Sequence, residues 1–223
     1  WASCSHSGTG HAALPDPRAV DKSVPEYKNP FHPSTYAHFV ARKDYRKTYD
    51  VYKDDTLLNR QPKKSRKIFV CLDEQRGQYL VDGLVAMDFP LSSGVKAYPT
   101  KTGDYAVISK KEDHASNLYG KMYDAEGKCI NYNAESTDPI PEGGRFDGSP
   151  MPYWQRLTNA GLGLHVGKVR RHPVSHGCVR LPRNVAEILY RQTSIGTPVT
   201  IQKTPLPVPE IQKVPAGQQH KGV

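Results

Sequence analysis

The chain has 223 residues and a net charge of +9, from 31 Lys and Arg against 22 Asp and Glu. That length suffices for one domain of moderate size with tails. No run of about eighteen apolar residues predicts a helical membrane span, and no RRM, KH or zinc-finger pattern accompanies the basic charge, so no nucleic-acid partner is predicted.

Residues 1–35 are polar and punctuated by Pro15, Pro17, Pro25, Pro30 and Pro33. They predict a linker or disordered arm. Residues 36–66 form a basic, aromatic segment. From Arg42 to Lys67, ten Lys or Arg face four Asp. That excess reads as a solvated surface or as attraction to a polyanion such as cell wall. Tyr36, Phe39, Tyr45, Tyr49 and Tyr52 recur mostly at three- to four-residue steps. They predict one helical face packing on the domain that follows.

Residues 67–203 carry a β pattern. Ile68, Val70 and Leu72 alternate with Phe69 and Cys71, and a turn at Glu74–Gly77 leads to Gln78–Val81. Asp82-Gly83 is a hairpin signal, from which Leu84–Phe89 returns. Ser92-Ser93-Gly94 and Pro99–Gly103 are loops before a strand at Asp104–Ile108. Residues 109–150 look loop-rich and predict a lid or wall of a cleft, with His114 solvated. Met151–Leu157 predicts a strand. Its Tyr153 either offers a hydroxyl to an oxyanion or packs on the sheet.

Gly161–Pro182 reads GLGLHVGKVRRHPVSHGCVRLP. In an extended strand Leu162, Leu164 and Val166 share one face, leaving His165 among glycines on the other, open to access. Gly177 permits a tight turn before Cys178. A thiol, a separate imidazole and converging N–H groups are the parts of a cysteine acyl-transfer site. A zinc site built from His165, His172, His176 and Cys178 is the rival reading. After Pro182, Asn184 and Glu187 predict a capping box, Val185, Ile188 and Leu189 a buried helical stripe, and Gly196 its end. Thr197–Ile201 closes the sheet, and residues 204–223 predict a disordered tail.

The string S-H-G-C-V-R-L-P after a histidine-bearing strand resembles the L,D-transpeptidase catalytic domain (the YkuD family). Two further stretches resemble it: Ser92-Ser93-Gly94 before the Pro99–Gly103 loop, and Met151-Pro152-Tyr153 with Arg156. The thirteen positions from His165 to Cys178 are fewer than the family usually has. The resemblance implies a mainly β, YkuD-like β-sandwich or sheet domain with one or two short helices. It implies Cys178 as nucleophile and His165 as its base. The N–H groups of His176, Gly177 and Cys178 would hold the oxyanion. Tyr153, Ser175 and Arg180 are candidate substrate contacts, Arg180 either for a stem carboxylate or as one half of a structural ion pair. No metal or cofactor is implied. The expected donor is a peptidoglycan tetrapeptide stem, and the alternative is a non-catalytic peptidoglycan-binding module.

The expected location is the periplasm or cell envelope. Ala2-Ser3-Cys4 resembles the end of a bacterial lipoprotein signal, so Cys4 is a candidate lipid anchor. If Cys178 stays free, Cys71 with Cys129 is the internal disulfide to consider.

Overall fold

The computed structural model describes residues 15–61, 65–209 and 212. Cys4 and most of the C-terminal tail lie outside them. The chain divides into two units, residues 1–46 with 208–223, and residues 47–207.

In the first unit, helix α1 (Tyr36–Ala41) starts at Thr35, whose hydroxyl accepts the His38 N–H at 3.1 Å. Phe31, Ala37 and Ala41 form a small buried cluster, and the Phe39 and Tyr45 rings meet edge to face. The arm expected to be disordered through residue 35 therefore holds a buried anchor at Phe31. An aromatic set among prolines carries no periodicity, so the sequence does not announce it.

The second unit begins with β1 (Tyr52–Lys53) and helix α2 (Asp55–Asn59). One helical face over residues 36–66 was expected; instead the segment breaks at Ala41 and Tyr49 is exposed. Asp54 starts α2 by accepting the Leu57 N–H at 3.0 Å. That cap turns Leu57 and Leu58 into the core.

Strands β2 (Arg66–Cys71), β3 (Arg76–Val81), β4 (Leu84–Pro90) and β5 (Gly103–Ala106) follow. Asp82 and Gly83 both have positive φ, 51° and 83°, as a two-residue type I′ hairpin requires. Next come β6 (Ser109–Lys111), β7 (Ala115–Tyr123), β8 (Cys129–Glu135) and β9 (Arg145–Pro150). The last elements are β10 (Trp154–Arg156), β11 (Gly163–Val166), β12 (Val179–Leu181), helix α3 (Arg183–Gln192) and β13 (Pro198–Gln202). They form three sheets, ordered β1-β4-β3-β2-β13-β5, β12-β11-β10-β6 and β8-β7-β9.

The first two sheets and α3 share one apolar core. Ile68, Val70, Tyr79, Val199 and Ile201 pack there with Leu164, Val179, Leu181, Val185 and Leu189. β3 is buried along its whole length, so it shows no polar alternation. Across β3 and β4, Arg76 Nε donates to Asp88 Oδ1 at 2.5 Å with both side chains fully buried. Arg76 also donates to the carbonyls of Thr48 and Asp50 at 3.2 and 3.0 Å, holding the entering chain against the sheet.

Residues 109–150 are not loop-rich. β7, β8 and β9 form an antiparallel sheet that is largely exposed. With no face fully covered, their residues need no apolar alternation, which removes the sequence signal for strands. Helix α3 starts at Pro182 with no side-chain cap, so the Asn184 box does not form, and Glu187 pairs with Arg191 instead. The tail also docks at its start. Leu206 is 1% exposed, and the Pro207 carbonyl accepts from Gln78 at 2.8 Å.

Candidate active site

Strands β11 and β12 run parallel, with Leu164 opposite Val179 and His165 opposite Arg180. Leu164 and Val179 enter the core, so His165 and Arg180 take the other face. Two residues back along the same line from Arg180, Cys178 reaches that face beside Gly163. Cys178 and His165 are thus diagonal neighbours on adjacent strands. Both line a cavity of about 750 Å³.

The turn before Cys178 is built by hydroxyls. Ser175 Oγ donates to the Cys178 carbonyl at 2.5 Å and accepts the Gly177 N–H at 3.2 Å. Thr100 Oγ1 donates to the Gly177 carbonyl at 2.6 Å and accepts the Gly94 N–H at 2.8 Å. Gly177 sits at φ +110°, where a side chain would be strained. A Cβ on Gly94 would fall 2.1 Å from the Tyr98 carbonyl, so only glycine lets that loop close on the turn.

Ser175 was expected to touch substrate, but its hydroxyl is committed to this turn. Of the three expected oxyanion donors, the Gly177 N–H is likewise engaged. The His176 and Cys178 N–H groups hold no hydrogen bond among the described residues. Tyr153 was offered two roles, and its place fits packing. It lies outside the cavity lining, with φ +56°, its ring 5.6 Å from that of Tyr190 on α3.

His165 is not open to solvent; it is 6% exposed, with its ring 5.9 Å from the Trp154 ring. Its Nδ1 lies 2.7 Å from the Val166 carbonyl, which can only accept. The proton is therefore on Nδ1, and Nε2 keeps a lone pair. A backbone carbonyl does here the orienting that a carboxylate does in many triads.

Burial pushes the His165 imidazole down to about 4, helped by the positive charge of Arg180, while the Val166 carbonyl opposes the shift. Burial also pushes the Cys178 thiol up, against the lowering effects of the Gly163 N–H and Arg180. The thiol rests on the Gly161 carbonyl at 3.2 Å. The resting pair is thus neutral thiol and neutral imidazole.

The lowered His165 value ties the stability of the fold to pH. Its folded value of about 4 lies below the ordinary 6.5, so the unfolded chain binds more protons between these values. Its stabilising contribution is complete above pH 6.5 and is lost as pH falls toward 4. Melting temperature should fall less steeply over that window in His165→Gln than in the wild type. Parallel curves would reject a buried neutral imidazole. Over the same sample, alkylation of Cys178 should accelerate only above the ordinary thiol range.

A family model described as the L,D-transpeptidase catalytic domain matches residues 65–201. The chain belongs to that family. It is also 31% identical over 121 residues to a curated protein of Mycobacterium tuberculosis, "Probable L,D-transpeptidase 3". That match covers 51% of this chain and 38% of the relative, so the chain spans well under half of it. Among solved structures, an L,D-transpeptidase from Mycobacterium smegmatis superposes with TM-score 0.48 at 22% identity, over 62% of this chain and 58% of that one. One from Stackebrandtia nassauensis gives 0.46 at 22% identity, over 74% and 65%.

The site of this L,D-transpeptidase domain includes residues that the sequence reading missed. His176 stacks on Tyr119 of β7 at 4.3 Å and leans on Tyr98 at 4.7 Å. Leu118, Tyr119 and Tyr132 make an apolar wall of the cavity, which agrees with a wall role for residues 109–150. Thr100 carried no motif of its own. His172 turns away to the Arg170 carbonyl. Among the described residues no group of three His, Cys, Asp or Glu side chains is placed to share a metal ion. Cys71 and Cys129 are free, not paired with each other.

Proposed function

We propose that the domain is a cysteine acyltransferase acting on peptidoglycan stem peptides in the cell envelope. The observation that carries this reading is the pairing of Cys178 and His165 on adjacent strands, lining one cavity under unoccupied backbone donors. As Cys178 Sγ attacks the carbonyl joining the third residue to the terminal D-alanine, its proton passes to His165 Nε2. The C–S bond forms, and the His176 and Cys178 N–H groups take the oxyanion. The C–N bond then breaks, His165 protonates the departing amine, and a thioester remains. An incoming amine repeats the sequence in reverse, with His165 taking its proton, and gives a new amide. Water in its place gives hydrolysis.

Because the resting thiol is protonated, transfer of its proton belongs to the attack step and not to a standing ion pair. Arg180, whose guanidinium has no ion pair among the described residues, is the proposed contact for a stem carboxylate. Lipidation of Cys4 would hold the domain at a membrane. No helix among the described residues is long and apolar enough to cross one.

Mass spectrometry of products from purified disaccharide-tetrapeptide tests this reading. Free D-alanine with a cross-linked dimer is the expected outcome, and D-alanine with tripeptide would mark hydrolysis. Binding without consumption would favour the non-catalytic module.

A further inference from the structure

Trp154 divides the face of the β12-β11-β10-β6 sheet that turns away from the core. Its indole lies across Gly163, where a Cβ would come within 2.5 Å of the ring, so a side chain there would push the indole aside. The His165 ring stands at 5.9 Å from it and the His114 ring at 5.1 Å. His165 lines the Cys178 cavity. His114 lines a second cleft of about 570 Å³, and the two share no lining residue.

This second cleft is basic. The ladder sets Lys111 opposite Trp154 and Ser109 opposite Arg156, so Lys111 and Arg156 rise from one face on neighbouring strands. Lys110 also borders the cleft, but its ammonium donates to the Thr193 carbonyl at 2.6 Å. Lys111 and Arg156 have no ion pair among the described residues. No Asp or Glu lines the cleft among the described residues, and Glu112 and Asp113 stay outside the lining. Burial lowers the His114 imidazole from its ordinary value, and the charges of Lys111 and Arg156 lower it further. Two cations thus bear on one imidazole with no counter-charge in the lining. Ser109 and Asn159 add a hydroxyl and an amide.

We propose that this cleft is a phosphoryl-binding site, in which Lys111, Arg156 and His114 hold the anion on the far side of Trp154 from Cys178. A phosphoryl group brings three strong acceptor oxygens and up to two negative charges, where a carboxylate brings two oxygens and one charge. It therefore suits donors that converge from β6, from β10 and from the β6–β7 connection. Hydrogen bonds from cations to such oxygens are about twice as strong as neutral ones. A free phosphate and the phosphodiester of a headgroup share this chemistry.

Calorimetric titration of the full chain with inorganic phosphate and, separately, with glycerophosphoglycerol tests the site at fixed ionic strength. At least one should bind one site per chain with a Kd of about 1 mM or tighter. Phosphate alone marks a terminal phosphoryl group, and equal binding of glycerophosphoglycerol marks a phosphodiester. Lys111→Gln/Arg156→Gln should weaken binding by about tenfold or more, and Lys111→Gln alone, at an exposed position, by a smaller factor. Arg180→Gln should bind as the wild type does, and the ligand should leave iodoacetamide labelling of Cys178 unchanged. Binding of neither probe, acetate binding as tightly, or binding undiminished in the double variant would overturn the proposal. So would loss of binding in Arg180→Gln or protection of Cys178, since either places the anion in the Cys178 cavity.

Discussion

Replacing Cys178 by alanine should lower transfer by roughly a thousandfold or more, since the nucleophile is lost and only binding and backbone donors remain. The fold should persist. Cys178 is half-buried, and its turn is held by the Ser175 and Thr100 hydroxyls, not by its sulfur. A β-lactam gives the same answer by another route. It is a strained acyl donor, so ring opening by the Cys178 sulfur should leave one stable thioester. Intact mass and peptide mapping should place that adduct on Cys178. Cys71 is buried and its thiol is pushed up by burial, so it should stay unmodified. Normal turnover in Cys178→Ala, or an adduct on Cys129 instead, would sink the nucleophile assignment.

The second large effect lies in the fold. Asp88→Ala should cost about 3–5 kcal/mol, because it strands the Arg76 guanidinium in a fully buried site. Denaturant unfolding measures it. The paired change Arg76→Met with Asp88→Leu should cost much less than Asp88→Ala, since neither buried charge survives. The paired variant should still lose the Arg76 contacts to the Thr48 and Asp50 carbonyls. Arg171 meets the same Thr48 carbonyl at 2.5 Å and the Glu74 carbonyl at 2.8 Å. The ion pair is therefore joined to the segment that leads into the turn before Cys178. An Asp88→Ala loss below about 1 kcal/mol would mean that water or another group reaches Arg76.

The strand faces and the turn of Gly161–Pro182 were legible because their signals are local. Alternation in Leu162–Val166 set the faces of β11, and Gly177 marked a turn that does need positive φ. The Asp82-Gly83 hairpin was legible for the same reason. What sequence could not supply was burial. His165 looked accessible because glycines flank it in the chain, yet Trp154 from the neighbouring strand covers it. The three strands of β7–β9 were missed because a sheet exposed on its faces places no apolar demand on alternate residues. Tyr153 and Ser175 carry groups suited to a substrate, but one ring packs on α3 and the other hydroxyl builds a turn. Their partners lie far along the chain or in main-chain carbonyls, which no residue spacing encodes.

The parallel pairing of β11 with β12 separates the spacing of His165 and Cys178 from the length of chain between them. Ladder hydrogen bonds fix where His165 and Cys178 stand, whatever path the connection takes. Within that connection, Arg170, Arg171 and Val174 are tethered, whereas His172 and Pro173 are exposed. The thirteen-position gap is thus a matter of surface economy, and the chain could lengthen at His172–Pro173 without touching the chemistry. That tip is a natural splice point, where a peptide or a whole added module could enter the chain while the ladder keeps its register.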